Sequence, residues 1–198
     1  MDTDEIRQAW DEVAATYADR RDPDGSDAAL IEELLEVCPP DPLVVDIGCG
    51  DGARTLANLP AGSVGVDFSR EGLKLARETV PAARVLQAEM RALPFDDGIA
   101  DAMTAYHAVF HVPREDQPAV YREFARVLTA GGTLLMTLPA GQFETVRRGW
   151  MGGSMFFSAP GREQTLKQLA AAGFENLRTK TVSDPLGSSS EFVFADRS

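Results

Sequence analysis

With 198 residues, 44% hydrophobic and 8% aromatic, the chain is long enough to bury one sizeable core and predicts a single domain. Its 31 acidic residues outnumber 19 basic ones, and a net charge of −12 repels nucleic acid and anionic membrane surfaces, so a small-molecule partner is expected, with no nucleic acid and no membrane. Two cysteines, Cys38 and Cys49, are too few and too unlike in context to make a disulfide framework.

The acidic start Met1-Asp2-Thr3-Asp4-Glu5 lacks the apolar stretch of a signal peptide, and no apolar run approaches membrane length, which together predict a cytoplasmic protein. Residues 4–20 predict an amphipathic helix with Ile6, Trp10, Val13 and Tyr17 at helical spacing. Asp22-Pro23-Asp24-Gly25-Ser26 breaks it, and a second helix is expected from Ala28 to Val37, before Pro39-Pro40.

Leu43 to Ile47 reads as a short apolar strand running into Gly48, Gly50 and Gly52, where a backbone without Cβ atoms turns sharply and approaches a ligand closely. Ala53-Arg54-Thr55-Leu56-Ala57 then returns to helix-forming composition, so a strand, a glycine turn and a helix are expected, a nucleotide-binding corner. Gly48-x-Gly50-x-x-Ala53 also satisfies the loose dinucleotide fingerprint, and charge must choose between cofactors. Asp46 and Asp51 flank the turn, Asp67 ends the next apolar run and Glu89 the third. Crowded carboxylates repel a pyrophosphate, whereas S-adenosylmethionine is a net cation and suits an acidic corner better than NAD does.

Downstream, short apolar runs alternate with helical stretches: a strand over Val64–Phe68, a helix over Arg70–Thr79, a strand over Arg84–Gln87 and a fourth strand ending near His107. This repetition implies parallel strands with right-handed crossovers and a ligand at their carboxyl ends. Pro113, Glu115 and Asp116 are expected to open a helix with Val120, Phe124, Val127 and Leu128 on one face; Thr129-Ala130-Gly131-Gly132 stops it before a fifth strand, Thr133–Leu138. His107 and His111 lie four apart, but without a third ligand they predict no metal site; His111 reads as a general base, a polar pocket wall or a structural histidine. From Gly141 to Gly161, glycines mix with Trp150, Met155 and Phe156, which suits a lid or substrate-pocket wall or, equally simply, a surface loop tucking apolar groups inward. A helix over Arg162–Ala172, capped by Gly173, precedes two strands, Glu175–Val182 and Glu191–Ala195, joined by Ser183-Asp184-Pro185-Leu186-Gly187-Ser188. Lys74, Lys167 and Lys180 are the only lysines, a halophile-like composition that a GC-rich genome would also favour.

Asp46-Ile47-Gly48-Cys49-Gly50-Asp51-Gly52, Val64-Gly65-Val66-Asp67-Phe68-Ser69, the adenine-loop stretch Gln87 to Phe95 and the segment Arg126 to Leu135 follow one another in the order found in class I S-adenosylmethionine-dependent methyltransferases of the small-molecule type, which the chain resembles. The resemblance implies an α/β fold, a three-layer Rossmann-like sandwich with a seven-stranded, mostly parallel sheet and one antiparallel strand near the C-terminus. It implies one methyltransferase domain over 1–198, with a helical arm (1–40) above the cofactor and a lid-like insertion (140–161). In such a site Asp46, Gly48, Cys49 and Gly50 form the turn, Tyr17 closes on the cofactor, and Asp67 grips the ribose hydroxyls with Phe68 against the adenine. Glu89 stands where the family more often has Asp, and would accept the adenine amino proton beside the Met90 N–H. His107 and His111 fall where the family places cofactor and substrate contacts. The implied reaction is an in-line methyl transfer to an O, N, C or S nucleophile of a small molecule. An NAD-type oxidoreductase and a non-catalytic adenosyl-binding protein are the alternatives, and monomer and homodimer both stay open.

Overall fold

The computed structural model describes residues 1–21, Gly25, 28–183 and 189–198. Helix α1 (Thr3–Arg20) starts at a reciprocal cap: the Asp2 carboxylate accepts from the Glu5 N–H and the Glu5 carboxylate from the Asp2 N–H, each at 2.9 Å. Helix α2 (Ala28–Glu36) precedes strand β1 (Val44–Ile47). Strand β2 (Val64–Asp67), helix α3 (Arg70–Thr79) and strand β3 (Arg84–Gln87) follow, with the Ser69 hydroxyl capping α3 by accepting from the Gly72 N–H. Then come β4 (Ala100–Ala105), α4 (Gln117–Val127), β5 (Leu128–Leu138), β6 (Gln142–Trp150), β7 (Gly153–Pro160), α5 (Arg162–Ala171), β8 (Phe174–Ser183) and β9 (Ser189–Arg197). The expected break around Asp22-Pro23-Asp24 and the turn Asp184 to Ser188 lie outside the described residues.

Seven strands form one sheet in the order β3-β2-β1-β4-β5-β9-β8, and β9 alone runs against the rest, as expected from the resemblance. Strand parity sorts the core into two layers. Val45, Ile47, Met103, Leu134, Met136 and Val193 face α4, where Val120, Tyr121 and Phe124 meet them. Their alternates, Val44, Ala102, Leu135, Phe192 and Phe194, face Leu30, Ile31 and Leu34 of α2. The same alternation puts Asp46 and Thr104 on the α2 side, and their side chains bond there.

Three expectations differ from what is observed. Behind the glycine turn there is no α-helix, only a single 3-10 turn at Leu56–Asn58. The Thr55 hydroxyl bonds back to Asp46 and Pro60 soon follows, and a proline disfavours helical geometry in the residue before it. Helix α4 starts at Gln117 with Pro118 in its first turn rather than at Pro113; Asp116 makes no capping bond, because its carboxylate is held by Arg91 at 2.6 Å. The stretch read as a lid, a pocket wall or a surface loop forms a hairpin, β6 against β7, whose glycines cluster at Gly149, Gly152 and Gly153 around the turn. Met155 and Phe157 of β7 pack on Ala9 and Val13 of α1, forming a third, smaller apolar cluster.

Candidate functional site

Five parallel strands place their carboxyl ends along one rim, and a cleft runs across that rim beneath α1. Its roof is one helical stripe: Thr3, Ile6, Trp10, Ala14 and Tyr17, continued by Arg21 just past the helix end. Its floor is the glycine turn, anchored where the Gly48 and Cys49 N–H groups both donate to the Val66 carbonyl at 2.7 and 3.1 Å. Gly48 has φ +70°, and a Cβ there would stand 2.5 Å from the Ala108 Cβ. At Gly50, by contrast, a Cβ would meet nothing within 4 Å: this is open space facing the cleft.

Asp67 ends β2 on the cleft floor, its carboxylate accepting from the Gly50 N–H at 2.9 Å and the Ser69 N–H at 2.8 Å. Burial pushes its carboxyl up to about 6, against the lowering effect of the backbone N–H groups of Ser69, Gly50 and Phe68. The Ser69 hydroxyl donates to Asp11 of α1 at 2.7 Å, and the Glu71 N–H donates to the same oxygen at 3.2 Å, so the roof is tied to the start of α3. Phe68, Glu89 and Met90 continue the wall. Glu89 is held by Arg91 at 2.8 Å, and Arg91 reaches Asp116 and the Thr3 hydroxyl, tying the beginning of α1 to the same rim.

Past β4 the wall turns aromatic. His107 takes the left-handed conformation, φ +52°, and its N–H donates to Thr137 at 2.9 Å. His111 lines the cleft with its ring edge-on to Trp10 at 4.9 Å and close to Phe110 and Phe157. Its Nδ1 lies 2.8 Å from the Phe156 carbonyl. A carbonyl only accepts, so Nδ1 carries the hydrogen and Nε2 keeps the lone pair. Burial lowers this imidazole to about 4, so it is neutral at pH 7.

Tyr17, Gly48, Gly50, Asp67, Phe68, Glu89, Met90, His107 and His111 thus share one cleft, and five other sequence-derived candidates do not line it. Asp46 lies within β1, accepting from the hydroxyls of Thr55 and Thr104, the latter at 2.7 Å; burial raises it to about 6 against these two bonds. It braces the turn from below. The Cys49 thiol is buried under the turn, close to Gly65, and desolvation pushes it well above its ordinary value, away from reactive thiolate character. Trp150 stands one layer out, against Trp10, Tyr17 and Phe157. Met155 and Phe156 are buried in the hairpin, and Phe156 acts on the site through its backbone carbonyl. Among the described residues no cluster of His, Cys, Asp and Glu could hold a metal ion, and no helix is long and apolar enough to cross a membrane.

Sequence reasoning missed Arg21. Its guanidinium lies over the Tyr17 ring, and its Nε and Nη2 are buried at the cleft without a hydrogen-bond partner among the described residues. A buried guanidinium with open donors is costly unless an anion completes it. The available signal was helical spacing, four residues beyond Tyr17.

Comparison with known proteins relates the chain to methyltransferases in sequence and in fold. Residues 45–136, from β1 through most of β5, match the family model described as a methyltransferase domain. A probable S-adenosylmethionine-dependent methyltransferase of Mycobacterium tuberculosis is 31% identical over 98 residues, 48% of this chain and 35% of that protein. The tRNA (carboxymethyluridine(34)-5-O)-methyltransferase of Mus musculus is 30% identical over 66% of this chain and 19% of its own length. The chain therefore spans about a third or less of these curated relatives. In fold it is similar to the 1,6-didemethyltoxoflavin-N1-methyltransferase of Burkholderia thailandensis, solved with S-adenosylhomocysteine, at TM-score 0.72 and 16% identity over 100% of this chain and 91% of that one.

Proposed function

We propose that this chain, whose residues 45–136 match a methyltransferase-domain model, is a class I S-adenosylmethionine-dependent methyltransferase that binds S-adenosylmethionine in the cleft under α1 and methylates a small-molecule acceptor. The observation that carries this reading is the pairing, in one cleft, of an Arg21 guanidinium whose Nε and Nη2 have no hydrogen-bond partner among the described residues with the Asp67 carboxylate at the open Gly50 turn. Such a site suits a ligand that carries both a carboxylate and a pair of hydroxyls. Arg21 takes the carboxylate, Asp67 the ribose hydroxyls, Phe68 and Met90 the faces of the adenine, and Glu89 its amino group. Tyr17 closes the roof, and Asp46 holds the floor from beneath through Thr55 and Thr104.

When bound, S-adenosylmethionine supplies an activated methyl carbon for in-line displacement by an O, N, C or S nucleophile. The protein orients that nucleophile and excludes water from it, and the aromatic wall of Trp10, His107 and His111 does both. His111, neutral and with Nδ1 engaged, offers Nε2 as an acceptor for an N–H or O–H of the nucleophile. A net charge of −12 supports a small acceptor over nucleic acid.

The dinucleotide reading loses its main support in the absence of an α-helix behind the glycine turn, since that helix N-terminus is what holds a pyrophosphate. Titration calorimetry with S-adenosylhomocysteine and with NAD tests the choice. Binding of the first alone is expected; binding of NAD, or silence toward S-adenosylhomocysteine, overturns the reading. Methyl transfer to a panel of amines, phenols and thiols then separates an enzyme from a passive binder.

A further inference from the structure

Strand β6 is nine residues long, pairs only with β7 among the described residues, and is exposed along most of its length. The outer strands of the main sheet are guarded as natural edges usually are: β3 has four residues, and β8 is broken by a bulge between Glu175 and Arg178. From Gln142 to Arg148, β6 has neither device; its irregularity comes only at Gly149.

Its free edge can be read from β7. The carbonyls of Phe156 and Ser158 turn into the body of the protein, to His111 Nδ1 at 2.8 Å and Gln117 Nε2 at 2.9 Å. Backbone groups of alternate residues point the same way, so it is Met155, Phe157 and Ala159 that bond across to Arg147, Thr145 and Phe143. Glu144, Val146 and Arg148 therefore direct their N–H and C=O groups off the open edge. Their side chains also share one face, on which Val146 is 42% exposed and Arg148 has no ion-pair partner among the described residues.

We propose that β6 pairs antiparallel with β6 of a second copy of this chain, about a two-fold axis through Val146. In this register Val146 faces its own counterpart, and Glu144 of each copy faces Arg148 of the other, each pair exchanging two N–H···O bonds. Moving the axis to Thr145 or Arg147 keeps the backbone pairing but sets the charged residues against Val146, so charge selects the register. Glu144, already 3.5 Å from Arg114, gains a second cation, and Arg148 gains its first anion. The product is a continuous four-stranded sheet whose inner strands shield both open edges.

Sedimentation velocity over a concentration series tests this. The wild type is expected to shift from one to two chain masses as concentration rises. Val146→Pro removes an N–H that faces away from β7, so the hairpin stays formed while dimerisation weakens roughly tenfold or more; an unchanged circular dichroism spectrum checks the fold. Glu144→Arg and Arg148→Glu should each oppose self-association, yet a mixture of the two variants pairs complementary charges and should restore a dimer. S-adenosylhomocysteine affinity stays at the wild-type value in all of them, which keeps this test separate from that of the cofactor. A wild type monomeric across the series, a dimer indifferent to Val146→Pro, or a mixture that associates no better than its components overturns the proposal.

Discussion

Asp46 and Asp67, two buried carboxylates on neighbouring strands, share a face of the sheet by register but sit at different depths, Asp46 within β1 and Asp67 at the end of β2. Both are raised to about 6 by burial, but only Asp67 faces the cleft. Asp67→Ala should weaken S-adenosylhomocysteine by roughly ten- to a hundredfold in calorimetry, the worth of hydrogen bonds to a charged group. With wild-type protein the affinity should hold above pH 6 and fall below it, as Asp67 takes up a proton. Asp46 enters as a stability effect. Its folded value lies above its ordinary 3.8, so the folded state holds a proton that the unfolded chain releases first. The associated stability is present below about pH 4 and lost as pH rises to 6, an effect of about 3 kcal/mol at most. His111, lowered to about 4, works in reverse, its stability lost as pH falls from 6.5 toward 4. Urea unfolding of Asp46→Asn against wild type isolates the first effect: the variant should gain relative stability between pH 4 and 6, and a pH-independent difference would refute it. Arg21→Ala should cost S-adenosylhomocysteine roughly tenfold or more in affinity, with a smaller effect on stability, since Nε and Nη2 make no hydrogen bond among the described residues and the contact with the Tyr17 ring is what the protein itself loses. At this scale the sequence identified which residue types gather at the strand ends, and position along the strand with its local partners explains what it left out. Asp46 lies one residue inside the end of β1 and is taken up by the Thr55 and Thr104 hydroxyls, whereas Asp67 ends β2 and reaches the cleft. Glu89 was legible as an acid, but its Arg91 partner depends on a fold contact with Thr3 and Asp116 that no local pattern reveals.

Helix α1 is the element whose docking closes the cleft, and Asp11 is its latch, accepting from the Ser69 hydroxyl and the Glu71 N–H at the start of α3. Removing it leaves two donors at a helix start without that acceptor, a cost of about 1 kcal/mol. Asp11→Ala should therefore raise the S-adenosylhomocysteine dissociation rate several-fold, which stopped-flow fluorescence of Trp10 in the roof would follow; an unchanged rate means that α1 does not gate the cleft. The helices were legible wherever a cap or an apolar stripe marked them, as in α1 and α3. The hairpin was not, because β6 is exposed on both faces and carries no alternation, while β7 is buried on both. The expected helix at Ala53 failed for the complementary reason: composition favoured it, but the Thr55–Asp46 bond and Pro60 leave room for one tight turn.

Across the whole molecule, order and direction of the main sheet follow from the alternation of strand and helix; three of the four motifs reach the cleft at its rim, while Arg126 to Leu135 spans the end of α4 and most of β5. The surface field is the other global property. With 31 acids against 19 bases, self-repulsion opposes the compact state, and thermal unfolding in molar KCl should occur at higher temperature than in dilute buffer; no rise would remove the halophile-like interpretation. Topology also separates two jobs that share the cleft. The strands that surround the glycine turn belong to the main sheet, whereas the Phe156 carbonyl that sets the His111 tautomer comes from a hairpin outside it, spliced between β5 and α5. On the proposed reading that hairpin is a cassette: changes around Phe156 would retune the acceptor side through His111, provided that Met155 and Phe157 keep their seat against Ala9 and Val13 of α1, so acceptor choice could drift through twenty contiguous residues or so while the main sheet keeps its frame.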